Sequence, residues 1–306
     1  MKLNHNFSIL ALDGGGVRGI YGARILARLE TTLGARVKNC FDLIAGVSTG
    51  SILAGATAAS IPMSEIVRLF EEESPRIFRK RRGIADLALL WRSRYSQQPL
   101  ADVLQKYVPD LTLAELSTPL LIPSTDLATG GVHVFKSRYL TELGEPYSRD
   151  GDTLLRDAIL ASCAAPTFFN PKEVDSHLLA DGGLWANNPS IIALTEAVSK
   201  FNRSIEEVRI LSLGTGHAPN MYRRQRHWGL LTGWGREKLV SYTLNLQSQA
   251  STNMAKMMLG PRYLRLDPTI DSWQLDDVRH IGNLKALADQ TFDRQSRAIL
   301  AHVKGE

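Results

Sequence analysis

The five residues Gly46-Val47-Ser48-Thr49-Gly50 match the pattern Gly-x-Ser-x-Gly and separate two segments of different character. Residues 41–45 before them form a short apolar run that is typical of a buried strand, and residues 51–59 after them are small and apolar, as in a closely packed helix. A strand, a glycine-flanked serine and a helix predict a nucleophile elbow, a tight strained turn that places the Ser48 hydroxyl at a helix N-terminus. A serine that only caps the helix is the alternative interpretation.

A second glycine-rich turn follows the first predicted strand, Phe7 to Leu12, and reads Asp13-Gly14-Gly15-Gly16-Val17-Arg18-Gly19. It matches the dinucleotide-binding pattern G-x-G-x-x-G, which requires an acidic residue about 20 positions later at the end of a second strand. The nearest candidate, Glu30, falls inside the predicted next helix instead, so the sequence argues against a dinucleotide-binding site. Backbone N–H groups of consecutive glycines are well suited to converge on an oxyanion. We expect Arg18 to steady this loop or to attract a phosphate group, with an ordinary surface arginine as the alternative.

An acidic turn, Asp181-Gly182-Gly183, follows the short predicted strand Leu178 to Ala180. Asp181 is surrounded in sequence by apolar residues, so its carboxylate is a candidate for a buried functional group. A turn aspartate that binds its own backbone is the alternative interpretation.

The composition is that of an ordinary globular protein, with 306 residues, 44% of them apolar and 22% charged. Cys40 and Cys163 lack paired spacing, so neither a disulfide framework nor a zinc site is indicated. The sequence shows no signal peptide and no apolar run of about 20 residues, so we expect a soluble protein that meets a membrane from outside. The net charge of +5 favours anionic surfaces or ligands.

Two basic and aromatic clusters are candidates for contact with an anionic partner, although solvated surface is an equally good interpretation. The first comprises Arg79 to Arg82 with Trp91, Arg92, Arg94 and Tyr95, and the second comprises Arg223 to Trp228 with Trp234.

The remaining sequence predicts regular structure and no internal repeat or linker. Thr118 to Asp126 and Val132 to Phe135 predict a hairpin-like pair of strands. The C-terminal part predicts a helix from about Glu237 to Leu259, a strand from Tyr263 to Leu266 and a closing helix from Asn283 to Val303. A methionine stripe on the first of these helices (Met254, Met257 and Met258) is expected to pack in the core. We therefore expect one domain over residues 1–306, with the motifs in about 7–216 and a helical part at about 236–306.

The order of the three glycine-containing motifs resembles the patatin-like phospholipase family. Further matching segments are Ser124 to Leu127, Ala161 to Pro166, Asn188-Pro189 and Leu213 to Gly216. The resemblance covers roughly residues 7–216 and implies an α/β fold of three layers. In that fold a mostly parallel central sheet is flanked by helices, and a Ser-Asp dyad lies at the carboxyl-terminal edge of the strands.

The resemblance also implies a role for each motif residue. Ser48 is the nucleophile, Asp181 is its base, and the oxyanion hole is formed by the N–H groups of Gly14, Gly15 and Gly16 with Arg18 nearby. Four further glycines shape the elbow and the acidic turn: Gly46, Gly50, Gly182 and Gly183. No cofactor and no metal are implied. The chemistry of the residues agrees, because a carboxylate in an apolar, water-poor setting becomes basic enough to activate a serine.

The resemblance further points to fatty acyl esters of phospholipids or other lipids as substrates, hydrolysed in peripheral contact with a membrane. The compact bacterial members it is similar to are antiviral effectors that a cyclic nucleotide activates to degrade the cell's own membrane. This implies a cytoplasmic protein acting at the inner face of the membrane, with no DNA or RNA duplex as partner and with oligomer formation left open. A catalytically silent nucleotide- or lipid-binding module on the same fold is the alternative.

A Ser-Asp-His triad is the competing catalytic hypothesis, because His217 follows the strand that ends at Gly214-Thr215-Gly216, in the chain order of α/β-hydrolases. The position of the glycine-rich loop before the elbow and the glycine turn after Asp181 favour the dyad.

Overall fold

A computed structural model describes residues 6–79, 92–137, 139, 149–218, 226–229, 232–234, 236–271 and 273–306. Its centre is a sheet in the order β5-β6-β3-β2-β1-β7-β8, with β4 paired to β3. The strands are β1 (Phe7–Leu12), β2 (Leu43–Gly46), β3 (Leu120–Asp126), β4 (Gly131–Lys136), β5 (Lys172–Val174), β6 (His177–Asp181), β7 (Val208–Leu213) and β8 (Tyr263–Leu266). The α-helices are α1 (Ile20–Leu33), α2 (Thr49–Ala58), α3 (Met63–Ile77), α4 (Gln98–Tyr107), α5 (Leu155–Ser162), α6 (Gly183–Ala186), α7 (Ser190–Lys200), α8 (Arg236–Leu259) and α9 (Ile281–Lys304).

The five strands β3, β2, β1, β7 and β8 pair in parallel, whereas β4 and β6 pair with β3 in antiparallel fashion. The register aligns Leu12 of β1 with Gly46 of β2 and with Leu213 of β7. Parallel strands in register end at one edge of the sheet. The loops that follow β1, β2 and β7 are therefore brought together at that edge.

Helices cover both faces of the sheet, as expected for parallel strands that are buried on both sides. One face packs against the larger apolar core, which includes side chains of α1 to α5 and α9. The opposite face packs against α7 and α8 through a smaller core that includes Leu194, Ala197, Ala255 and Leu259. The predicted α/β fold with a mostly parallel sheet between helical layers is confirmed.

The local predictions for the C-terminal part are confirmed, since α8, β8 and α9 match the predicted segments to within two residues. The hairpin of β3 and β4 is confirmed as well. The methionine stripe was predicted wrongly. Met254 and Met258 are about half exposed and Met257 is 87% exposed, because α8 buries its Ala255 and Leu259 side against the sheet instead.

The two basic and aromatic clusters fall partly outside the described residues, which exclude 80–91 and 219–225. Of the first cluster, Arg94 pairs with Asp276 at 3.1 Å. Of the second, Trp228 and Trp234 pack with ring centroids 5.2 Å apart. No helix in the described ranges is both long and apolar enough to cross a bilayer.

Candidate active site

The turn between β2 and α2 has the geometry of the predicted elbow. Ser48 adopts φ 53° and ψ −128°, a backbone conformation that is strained for a residue with a side chain. Its N–H donates to Ser162 Oγ at 2.9 Å, and Ser162 donates in turn to the carbonyl of Pro123 at 2.7 Å. A Cβ at Gly46 would collide with the carbonyl of Gly50, which is why the turn requires glycine at this close approach.

Asp181, the last residue of β6, places its carboxylate in the same cavity as Ser48. The side chain is buried, and Oδ1 accepts the N–H of Gly183 at 2.7 Å. Burial raises the pKa of Asp181 to about 6, against the opposing influence of the Ser48 side chain and the Gly183 N–H. A carboxylate with a pKa near 6 is ionised at neutral pH and is a stronger base than an exposed aspartate.

The glycine-rich loop after β1 lies directly beside Ser48, because a Cβ at Gly14 would come within 3.1 Å of Ser48 Cβ. The N–H of Gly14 donates to the carbonyl of Asn187 at 3.1 Å and is therefore occupied. The N–H groups of Gly15 and Gly16 make no hydrogen bond to other described residues, and both glycines line the cavity that contains Ser48. The geometry therefore favours these two amides over that of Gly14 as oxyanion donors.

Segments distant in sequence hold the glycine-rich loop in place. Thr215 Oγ1 donates to the carbonyl of Gly14 at 2.9 Å, and the N–H of Val17 donates to the carbonyl of Leu275 at 2.8 Å. Gly16 has φ +58°, and a Cβ there would collide with the same Leu275 carbonyl. Glycine is required at position 16 for both reasons.

Arg18 steadies the loop and does not line the cavity. Its guanidinium donates to the carbonyls of Gly15 and Gly216, each at 3.3 Å. Burial lowers the pKa of Arg18 to about 10, while Asp267 acts in the opposite direction. Of the three interpretations of Arg18 considered from the sequence, these contacts support the first, that it steadies the loop.

The cavity beside Ser48 is mostly apolar, with Thr49, Ser74 and Asn187 as its other polar lining residues. Its walls come mainly from α2, α3, the segment after α5 and one residue each of α4 and α8, and they include Ile52, Leu69, Phe70, Ile77, Phe78, Leu100, Phe168, Phe169, Leu244 and Leu275. Among the described residues, Asp181 is the only acidic or basic side chain in this lining. The cavity therefore suits an aliphatic chain attached to a group that reaches Ser48.

His217 lies away from this cavity. Its Nδ1 is 3.3 Å from Oδ2 of Asp267, and its Nε2 is 3.4 Å from Oγ1 of Thr269. The Asp267 carboxylate raises the pKa of His217 above its usual range. The contacts of His217 are thus with the strand end after β8, and the structure does not bring it to Ser48.

A buried ionic cluster behind the glycine-rich loop was missed from the sequence. Asp13 accepts two hydrogen bonds from Arg265, at 2.7 and 2.6 Å, and a third from Ser248 Oγ at 2.8 Å. Asp267 also contacts the Arg265 guanidinium, at 3.2 Å. Asp13 stands at the start of the glycine motif, but no local signal identifies a partner some 250 residues away. In the part of the chain described, no group of three His, Cys, Asp or Glu side chains is arranged to hold a metal ion.

A mostly parallel sheet between helices, a serine elbow and a buried aspartate beside one mostly apolar cavity together define an acyl hydrolase of the α/β class. The family model for patatin-like phospholipases matches residues 10–194. The chain belongs to the patatin-like phospholipase family.

Relatives that cover most of this chain include three bacterial phospholipases. A cGAMP-activated phospholipase of Pseudomonas aeruginosa is 32% identical over 95% of this chain and 87% of its own. A cGAMP-activated phospholipase of Escherichia coli is 33% identical over 96% of this chain and 86% of its own. A cUMP-AMP-activated phospholipase of Escherichia coli is 28% identical over 82% of this chain and 77% of its own.

Proposed function

We propose that this protein hydrolyses fatty acyl esters of phospholipids, with Ser48 as nucleophile and Asp181 as base. The observation that carries the proposal is the single cavity in which an elbow serine and a buried aspartate lie among apolar side chains. The family of the chain and the names of its relatives support the same reaction.

The reaction begins when Asp181 accepts the proton of the Ser48 hydroxyl and Oγ attacks the ester carbonyl carbon. The carbonyl oxygen becomes an oxyanion that the N–H groups of Gly15 and Gly16 stabilise. The tetrahedral intermediate collapses, the C–O bond to the leaving alcohol breaks, and the alcohol takes the proton from Asp181. A water molecule then attacks the acyl-serine, with Asp181 again as base, and releases the fatty acid and free Ser48.

The proposal extends to regulation and to place of action. We infer that a cyclic nucleotide activates the enzyme, because relatives over most of the chain are named for activation by cGAMP or cUMP-AMP. We also infer that the protein acts at the inner face of the cytoplasmic membrane, in peripheral contact.

We further propose that residues 1–306 work as one domain. This is supported by the hydrogen bonds that Arg265 and Leu275 make to the segment from Asp13 to Val17.

The experiment is incubation of the protein with vesicles of mixed phospholipids, with and without cGAMP or cUMP-AMP, followed by mass spectrometry of released fatty acid. Ser48→Ala should lower fatty acid release by several orders of magnitude, because it removes the nucleophile. Ser64→Ala, which changes an exposed serine of α3, is the matched control and should keep wild-type activity. Release that survives in Ser48→Ala at more than about a tenth of the wild-type rate would refute the mechanism. If neither the wild type nor Ser64→Ala releases fatty acid, the result would favour a catalytically silent binding module.

A further inference from the structure

A polar cleft lies behind the glycine-rich loop, between α8 and the carboxyl-terminal ends of β7 and β8. Its volume is about 500 Å³, within the range of small-molecule sites. One wall comes from Asp13, Asn187, the segment after β7 (Thr215 to His217) and β8 with the residue after it (Tyr263, Leu264, Arg265 and Asp267). The opposite wall comes from α8, which contributes Asn245, Ser248, Gln249, Thr252, Asn253 and Lys256.

The face of α8 in this cleft is polar along its length. Positions 245, 249 and 253 form one row at helical spacing, and positions 248, 252 and 256 form the adjacent row. In the described part of the chain, Gln249, Asn253 and Lys256 make no side-chain hydrogen bond or ion pair. These side chains are exposed at the cleft and available to a ligand.

We propose that this cleft binds the activating cyclic dinucleotide, an inference that rests on the proposed function for the identity of the ligand. The amide side chains of Gln249 and Asn253 each offer donors and an acceptor, which suits the edges of nucleobases. The Lys256 ammonium suits a phosphodiester. The cavity at Ser48 has a single amide side chain, Asn187, and no lysine, arginine or histidine among its described lining residues, so it suits the lipid better than a nucleotide.

The charges that face the cleft are compatible with an anionic ligand. Both carboxylates in the lining are paired, Asp13 with Arg265 and Asp267 with Arg265 and His217. Lys256 is a further cation, and it lies in the last turn of α8, where the helix carbonyls favour positive charge. The phosphates of the ligand would therefore meet the Lys256 ammonium, and no unpaired carboxylate among the described lining residues would repel them.

The wall of the cleft is also the support of the glycine-rich loop. Ser248 of α8 donates to Asp13 at 2.8 Å, and Asp13 directly precedes Gly14. A ligand that orders α8 therefore fixes the residue from which the oxyanion loop starts.

The same helix is bonded to the segment after the acidic turn. The N–H of Asn188 donates to Oε1 of Gln247 at 2.9 Å, and its side-chain amide donates to Thr252 Oγ1 at 3.0 Å. Leu244, one turn earlier, lines the apolar cavity. Helix α8 thus contacts the loop of Gly14, the turn of Asp181 and the cavity for the acyl chain, so a ligand in the cleft acts on all three.

The test measures binding without lipid, on protein carrying Ser48→Ala, so that it stands even if no hydrolysis is found. Isothermal titration with cGAMP and with cUMP-AMP gives the dissociation constants, and AMP serves as a non-cyclic control. Lys256→Met and Gln249→Met should each weaken binding about tenfold or more, as expected for loss of a hydrogen bond to a charged or polar ligand group.

Two control variants carry the same kinds of substitution, Lys→Met and Gln→Met, at positions outside the cleft. Lys304→Met alters a lysine in the last turn of α9, and Gln290→Met alters a glutamine at a second cleft of similar volume beside Trp273. Both should leave affinity unchanged, and unaltered melting temperatures without ligand would show that all four variants fold. Binding should also slow amide hydrogen exchange in residues 13–19.

Three outcomes would overturn the proposal. They are wild-type affinity in Lys256→Met and Gln249→Met, loss of affinity in Gln290→Met instead, and no binding of either cyclic dinucleotide to the parent protein. Unchanged exchange in residues 13–19 on binding would overturn the coupling to the loop.

Discussion

Replacing Asp181 by asparagine should stabilise the folded protein at neutral pH while removing the proposed catalytic base. Asp181 is 6% exposed, and burial raises its pKa from 3.8 to about 6. One pKa unit corresponds to about 1.4 kcal/mol, so ionising this buried carboxyl costs about 3 kcal/mol of folding free energy above pH 6. Asparagine carries no charge, and its side-chain oxygen can still accept the N–H of Gly183. The variant should therefore recover up to about 3 kcal/mol.

The pH dependence gives the sign of the effect. Between pH 3.8 and about 6 the unfolded chain has lost the Asp181 proton while the folded chain keeps it, so wild-type stability falls as pH rises. Above about pH 6 both states are ionised, and the full penalty is present. The free energy of unfolding of Asp181→Asn should thus exceed that of the wild type by little near pH 4 and by the full amount at pH 7.5.

Urea unfolding followed by circular dichroism at pH 4, 5, 6 and 7.5 measures this difference. Asp267→Asn is the control of opposite sign, because its arginine and histidine partners hold the pKa of Asp267 at about 2, and the variant should lose stability at pH 7.5. A decrease in stability for Asp181→Asn at pH 7.5, or a gain that does not change with pH, would refute the account of Asp181 as a carboxylate destabilised by burial.

Three further predictions concern catalysis and the glycine-rich loop. The kcat/KM for a soluble short-chain ester should rise with pH through about 6 as Asp181 ionises, and a profile that is flat between pH 5 and 7 would exclude it as the base. On one lipid ester, Asp181→Asn should lose nearly all activity while His217→Ala keeps at least about a third. Equal losses of activity in the two variants would support the Ser-Asp-His triad instead of the dyad. Gly16→Ala should lower turnover roughly a hundredfold and lower the free energy of unfolding by about 1–3 kcal/mol, because the added Cβ collides with Leu275. Gly282→Ala, at an open helical position, is the control and should leave stability unchanged or raise it. Thermal unfolding of both variants measures the difference.

The sequence was sufficient for features that are specified locally. The elbow could be predicted because Gly46 and Gly50 flank Ser48 between a strand pattern and a helix pattern, and the observed φ of 53° at Ser48 agrees with the expected strain. The apolar residues around Asp181 indicated burial for the same local reason. The segments of β8 and α9 followed from hydrophobic periodicity.

Features that depend on long-range packing could not be predicted. The pairing of Asp13 with Arg265 joins two segments that lie 252 residues apart, and nothing in the sequence around either residue indicates it. The error at Met257 has the same origin, because periodicity shows that α8 has an apolar stripe but not that Ala255 and Leu259 would face the sheet. The polar face of α8 became informative only once the strand ends opposite it were known.

The contact between Val17 and Leu275 has a consequence for protein synthesis. All motif residues have left the ribosome once Gly216 has emerged, yet the carbonyl that holds the glycine-rich loop belongs to a residue roughly 60 positions later. At 5–20 residues per second this interval lasts about 3–12 s. During that time the nascent chain contains Ser48, Asp181 and the glycine-rich loop with its contacts to Thr215 and Gly216, but it lacks the Leu275 carbonyl that accepts the N–H of Val17. We therefore expect the loop to reach its final geometry only late in translation.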